Sequence, residues 1–263
     1  MPKLKRTGDA DNRGATDFIE SLDRGLRVLE VFGGSRQPMT LSDLAKAADL
    51  PRATARRSLF TLERAGFVAT DGKLFRLMPR VLVLASAFLA SSHVVSVLQP
   101  ALDKLSSDAQ EISSMAILDG NDVVFIARAS PTRIFSAGID IGYRLPAFCT
   151  SVGRVLLSRL SDDELVATLD RMELAPLTPF TVTDRKKLLK TIVADRAQGY
   201  SLVDREAEPG FRSVSVPVRR YDGAIVAAIN MGAHVDRVSA EEMVERFLPR
   251  LQETAASVKS LLV

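Results

Sequence analysis

Residues 40–77 leave this chain the fewest choices. Thr40, followed three residues later by Asp43, reads as a helix N-cap with an acidic side chain at the positive end of the helix dipole. Leu41, Leu44, Ala45 and Ala48 then recur at helical spacing, so one face is apolar. The pattern stops near Asp49. Pro51 has no N–H to leave unpaired and a φ already suited to a helix, so it opens a second helix, in which Ala55, Leu59 and Leu62 share a face. Gly66 fits the left-handed residue that ends such a helix. Residues 67–69 and 73–77 flank Thr70-Asp71-Gly72 as a small β-hairpin. Two short helices across a tight turn, followed by a hairpin, predict a winged helix-turn-helix.

Arg52, Ala53, Thr54, Arg56 and Arg57 cover the rest of the second helix near its N-terminal end, the end that enters a major groove in proteins of this type. Arginine there can engage phosphate or a guanine edge, and small residues permit close approach. Lys73 and Arg76 on the hairpin are placed to meet flanking phosphates. Three arginines on a helix pair also describe a plain solvated helical hairpin. The wing, and an apolar stripe of Leu22, Leu26, Leu29 and Phe32 that supplies a third helix ending at Gly33-Gly34, favour DNA.

The 263 residues suffice for two domains, and 46% apolar with 25% charged residues is an ordinary globular balance. The net charge is only +3, but residues 1–80 carry 15 Lys and Arg against 10 Asp and Glu, while the remainder carries 20 against 22. The excess of positive charge coincides with the helix-turn-helix. A single cysteine, Cys149, excludes an intrachain disulfide and a multi-cysteine zinc site, and suits a reducing cytoplasm. The N-terminus lacks the apolar core of a signal peptide. Residues 81–90, the most hydrophobic run, are about half the length needed to span a bilayer, so no membrane association is expected.

The expected organisation is a flexible arm at 1–17, a winged helix-turn-helix domain at 18–78, a linker helix at 79–93 and a second domain at 94–263. The helix after Pro79 is apolar nearly all round and should be buried; its place between two domains suggests a helix shared with a partner chain, with packing inside one chain as the alternative. The second domain reads as a helix at 96–107, a hairpin of 112–118 and 123–129, and a strand near 134–141. Helices follow at 152–160, 161–172 and 185–198, then strands at 200–204, 213–218 and 224–231. Ser161 with Glu164, and Ser239 with Glu242, form capping boxes, the latter opening a final helix. Pro217 requires an edge or a bulge in its strand.

With these elements in place, the chain resembles the IclR family of bacterial transcriptional regulators over nearly its whole length. The resemblance is carried by Ser21-Leu22-Asp23-Arg24-Gly25-Leu26-Arg27-Val28-Leu29, by Leu62-Glu63-Arg64-Ala65-Gly66-Phe67-Val68, by Gly142-Tyr143-Arg144-Leu145-Pro146 through Gly153-Arg154-Val155-Leu156-Leu157, by Arg196-Ala197-Gln198-Gly199-Tyr200, and by Gly210-Phe211-Arg212-Ser213-Val214-Ser215-Val216-Pro217-Val218. Residues 144–157 are more narrowly similar to the PcaR, PcaU and PobR subgroup, which controls hydroxybenzoate catabolism through the β-ketoadipate pathway. The resemblance implies an α+β chain: a winged helix-turn-helix, a linker helix and a GAF-like antiparallel sheet flanked by helices. It also implies homodimers or homotetramers on double-stranded operator DNA, a small organic acid effector, RNA polymerase as a candidate partner, and no cofactor. The family's pocket falls here on Ser151 and Val152, Asp204, Ser213 and Ser215, and Asn230. This chain carries Val152 and Asn230 where relatives that bind small oxo-acids have a smaller residue and a serine.

An acid effector of the protocatechuate, 4-hydroxybenzoate or β-ketoadipate type needs a cation or N–H groups for its carboxylate, an apolar wall and a hydroxyl-sensing group. The helix start near Thr150-Ser151 offers N–H groups, Arg133 and Arg144 are candidate guanidinium partners, and Phe148 is a candidate wall; surface arginines and a plain core phenylalanine are the bland alternatives. Cys149 and His234 are too isolated for a metal site, and a buried structural cysteine is the simpler reading. No catalytic motif is present, so the expected function is a ligand-responsive regulator rather than an enzyme. The alternatives are a regulator of another small acid such as glyoxylate, an enzyme with an appended DNA-binding domain, and an architectural DNA protein without a ligand.

Overall fold

The computed structural model describes residues 18–35, 37–131 and 140–262. The arm at 1–17, Arg133 and most of the strand expected near 134–141 lie outside the described residues. The chain divides into two compact units between Ala87 and Phe88.

In the first unit, α1 (Glu20–Val31) is followed by the short strand β1 (Met39–Thr40), α2 (Leu41–Ala47) and α3 (Arg52–Arg64). β2 (Val68–Thr70) and β3 (Leu74–Leu77) form the wing, with β1 paired on the far side of β3. Thr40 and Asp43 make a full capping box: Asp43 N–H donates to Thr40 Oγ1 at 3.2 Å, and the Asp43 carboxylate accepts in return. Asp49 takes a left-handed φ of 53° in the turn, and Pro51 precedes α3 as its N-cap, one position earlier than the sequence suggested. Gly66, with φ 79°, ends α3: its N–H reaches Glu63 O, and Phe67 N–H reaches Leu62 O, the paired bonds of a Schellman cap. Val28, Phe32, Leu44, Ala55, Leu59 and Val68 meet in the core of this unit.

Helix α4 (Val81–Ser91) is not covered by its own chain, so the alternative of packing inside one chain is not met. None of its residues is buried, and Leu82, Val83, Leu84 and Phe88 are between 49% and 68% exposed. An all-round apolar helix carries more hydrophobic surface than this chain covers; Leu89 packs against the core of the second unit. Among the described residues, no single helix is long and apolar enough to cross a membrane.

The second unit is built on one antiparallel sheet. Its strands are β4 (Ile112–Asp119), β5 (Asp122–Ala129), β6 (Arg144–Pro146), β7 (Ser201–Asp204), β8 (Phe211–Arg219) and β9 (Ile225–His234), in spatial order β6-β5-β4-β9-β8-β7. Strand residues alternate between faces. Met115, Ala127, Val214, Val216, Ile229 and Met231 point to one face, packed with α5 (His93–Ala109) and α9 (Leu248–Val258). The opposite face meets α6 (Ser151–Leu157), α7 (Asp162–Arg171) and α8 (Arg185–Gln198), with Ala116, Phe125 and Ala228 in that core. β7 pairs only as far as Ser215, so Pro217 stands where β8 has no neighbour on that side, and a register shift follows at Val218/Arg219.

Both capping boxes form. The final helix is not continuous. After the turn Ala240–Glu242, residues Met243–Phe247 widen into a π-helical turn before α9. Pro249 supplies no N–H and its ring crowds the carbonyl four residues back, which an uninterrupted α-helix could not absorb.

Candidate functional site

On the first unit, Arg52, Ala53, Arg56 and Arg57 are exposed along α3 and Thr54 is half-buried. Ala53, Arg56 and Arg57 line a shallow groove with Phe60 and Thr61. Phe60 is 58% exposed, with the Arg64 guanidinium 5.9 Å from its ring centre. It escaped the sequence reading, although an aromatic four residues after Arg56, off the apolar face, was a usable signal. On the wing, the Asp71 carboxylate accepts from Lys73 N–H at 2.9 Å and Leu74 N–H at 2.8 Å, which holds its carboxyl below the usual range and fixes the turn that presents exposed Lys73. Arg76 is exposed on the next strand.

The second unit holds a cavity of about 540 Å³ between the sheet and the start of α6. Its floor follows from strand register. Arg128 on β5 pairs with Ser114 on β4, Ser114 with Asn230 on β9, Asn230 with Ser215 on β8, and Ser215 with Ser201 on β7. One row of the α6-facing side is therefore polar across five strands. Arg128, Ser114 and Asn230 line the cavity. In the next row Ile112 pairs with Gly232 and Gly232 with Ser213. The missing side chain at Gly232 makes room for Phe211, since a Cβ there would lie 2.2 Å from the Phe211 ring.

The roof is the start of α6. Thr150 Oγ1 accepts from Gly153 N–H at 3.1 Å, which occupies one of the free amides of that turn. Ser151 Oγ lies 2.7 Å from both Ser213 Oγ and Ser215 Oγ, tying α6 to β8. Gly153 lets α6 sit against the 147–149 turn; a Cβ there would fall 2.1 Å from the Ala147 carbonyl oxygen. Beneath, Arg154 Nη2 donates to Glu206 Oε2 at 2.7 Å and Arg154 Nε to Phe148 O at 2.9 Å. Glu206 also accepts from Val182 N–H, which anchors the loop whose Ala207 and Glu208 form part of the cavity wall.

Charge at the cavity is balanced. Burial lowers the Arg128 guanidinium from its ordinary value, opposed by Asp140. Glu111 is 4% exposed and pairs with Arg237 at 2.6 Å; burial raises its carboxyl despite that partner. Burial, with the nearby Glu206 carboxylate, pushes the Cys149 thiol up to about 12.

Of the residues read from sequence, Cys149, Thr150, Ser151, Val152, Ser213 and Asn230 line the cavity. Ser215 sits behind it through Ser151. Three are placed elsewhere. Arg144 is at the surface, with Nη1 2.6 Å from Asp119 and Nε 3.3 Å from Asp122. Asp204 is occupied by Arg212 at 2.9 Å. Phe148 is 1% exposed within the helix-side core. The reading missed Arg128, Ser114, Phe125, Phe211 and the Glu111–Arg237 pair. Among the described residues, no group of three or more His, Cys, Asp or Glu is placed to hold a metal.

Comparison with known proteins bears on both units. The IclR helix-turn-helix domain matches residues 21–72, and the bacterial transcriptional regulator IclR C-terminal domain matches residues 86–260. The chain is 40% identical over 239 residues to the Pca regulon regulatory protein of Pseudomonas putida, covering 90% of this chain and 82% of that one. A putative transcriptional regulator from Rhodococcus sp. RHA1 superposes with a TM-score of 0.77 at 45% identity, covering 92% of this chain and 97% of that one. A double mutant of the PobR inducer-binding domain from Acinetobacter, in complex with 3-hydroxybenzoic acid, matches 64% of this chain and 98% of its own length, with a TM-score of 0.61 at 33% identity. Regulators, not enzymes, are what this sequence and both of its units match, and the chain belongs to the IclR family of bacterial transcriptional regulators.

Proposed function

We propose that this regulator binds operator DNA through Arg52, Ala53, Thr54, Arg56 and Arg57 of α3 and through Lys73 and Arg76 of the wing, and that a small aromatic carboxylic acid in the sheet cavity controls that binding. The reading is carried by the polar row of Arg128, Ser114 and Asn230 on the cavity floor, set against apolar wall from Phe125, Phe211 and Val152. A guanidinium suits a carboxylate, Phe125, Phe211 and Val152 supply wall for a ring, and the volume is in the range of small-molecule sites. The PobR domain noted above holds an acid of this class. The uncovered apolar residues of α4 fit a homodimer in the cytoplasm, in which the acid would favour one arrangement of the DNA-binding units over another.

A ligand that binds only the folded state raises the unfolding temperature with concentration. Benzoate, 4-hydroxybenzoate and protocatechuate should each shift the thermal transition of the full chain, and glyoxylate should not. A shift with β-ketoadipate and with no aromatic acid would replace this effector class by a dicarboxylate.

A further inference from the structure

Phe60 stands outward on α3 with 58% of its surface exposed. At 3.6 residues per turn, Ala53, Arg57, Phe60 and Arg64 fall in one stripe, opposite Ala55, Leu59 and Leu62, which face the core of the unit. The ring is flanked by cations along that stripe. Arg56 and Arg57 line the same groove one turn back, and the Arg64 guanidinium lies 5.9 Å from the ring centre one turn ahead. The helix carries arginines at 52, 56, 57 and 64 against the single acid Glu63. Such a face suits a polyanion; two copies of it packed on each other would bring like charges together.

We propose that Phe60 is a specificity-determining residue of DNA recognition: its ring packs on the C5 methyl group of a thymine, so that α3 selects a T·A pair there without a hydrogen bond. The proposal rests on the reading of α3 as the DNA-binding helix and deepens it. Among the base-edge groups of a major groove, the thymine methyl is the apolar one; the others donate or accept hydrogen bonds and offer a phenyl ring nothing. Position fits as well as chemistry. Ala53 and Phe60 are seven residues apart, about 10 Å along the helix axis. At about 3.4 Å per base pair, a helix lying along the groove carries Phe60 about three base pairs beyond the pair met at Ala53. Covering the ring with a methyl group removes apolar surface of both from water, which is the source of the preference.

The test uses a duplex selected from random DNA by the unaltered full chain, resynthesised with deoxyuridine in place of thymine at one position at a time. Uracil keeps the base pair and every hydrogen-bonding group and removes only the methyl. At one or more thymines the exchange should weaken the unaltered protein by about threefold to fivefold, the worth of one buried methyl group. In Phe60→Ala the thymine and uracil duplexes should bind alike at that position, while Arg56→Ala, weaker overall, should keep the difference. The double-mutant cycle isolates the contact between ring and methyl from any general loss of affinity. Because Phe60 is exposed, its alanine variant should unfold at the temperature of the unaltered protein; the uracil scan of the unaltered protein decides the matter if it does not. Indifference of the unaltered protein to uracil at every position, or a uracil penalty that persists in Phe60→Ala, overturns the role of Phe60. A Phe60→Ala variant that keeps the penalty and loses self-association in sedimentation assigns the ring to a contact between copies and overturns it too. In each of these cases weaker binding by Arg56→Ala leaves the reading of α3 standing. Unchanged binding by Arg56→Ala, or failure of selection to enrich any duplex, overturns both.

Discussion

Arg154 and Glu206 form an ion pair at 2.7 Å with side chains only 3% and 8% exposed, joining α6 at the cavity roof to the loop before β8. Removing one partner of such a pair strands a buried charge and costs about 3–5 kcal/mol. Glu206→Ala should lower the unfolding free energy of the C-terminal unit by that amount in a urea titration. Glu206→Gln should cost less, since its carboxamide oxygen can still accept from Val182 N–H and Arg154. A loss below about 1 kcal/mol for the alanine variant would show that the pair is not the anchor of this loop.

Gly153 is needed for space rather than for its φ, because any Cβ would enter the Ala147 backbone. Gly153→Ala should cost at least 1–3 kcal/mol, as overpacking does. It should also displace Thr150 and Ser151, so calorimetry should find a lower unfolding temperature and a reduced shift with acid. An unchanged unfolding temperature would mean that α6 and the 147–149 turn can separate freely.

Cys149 lines the cavity, but its thiol, raised from 9.0 to about 12, stays protonated at neutral pH. Only the thiolate reacts readily with disulfide reagents. Labelling of the native protein at pH 8 should therefore be far slower than labelling in urea. The folded state holds this proton more tightly than the unfolded one, so the contribution is complete below pH 9 and is lost as the pH rises toward 12. Rapid native labelling would show an exposed thiolate instead.

The two kinds of DNA contact should separate in their salt dependence. On an operator selected from random DNA, Arg56→Ala should weaken binding by about 1–3 kcal/mol and relax preference at one position, if that side chain reads a base. Lys73→Ala should weaken all sequences alike and reduce the salt slope by about one. A uniform effect from Arg56→Ala would assign it to phosphate.

The two units differ in how far the sequence exposes them. The helix-turn-helix is written in local signals: the Thr40 cap, Pro51 before α3 and Gly66 after it act within a few residues. The cavity is assembled by register between strands a hundred residues apart, so Ser114 and Asn230 become neighbours only when β4 pairs with β9. Ser151, Ser213 and Asn230 came from the family resemblance. Arg128 did leave a trace, as the charged residue within the apolar run of β5. Arg144 looked equivalent in sequence, but the hairpin turn gives it Asp119 and Asp122 at the surface. Nothing in the apolar pattern of α4 distinguishes a helix covered by its own chain from one left for another surface.

Calorimetric titration of the full chain with 4-hydroxybenzoate, in the unaltered protein and in Arg128→Met, probes control by an acid in the sheet cavity. Saturable binding of one acid per chain is expected, weakened roughly tenfold or more in Arg128→Met by loss of the charged partner, with unchanged circular dichroism. Affinity within about twofold in Arg128→Met, or no binding heat in the unaltered protein, would contradict that control.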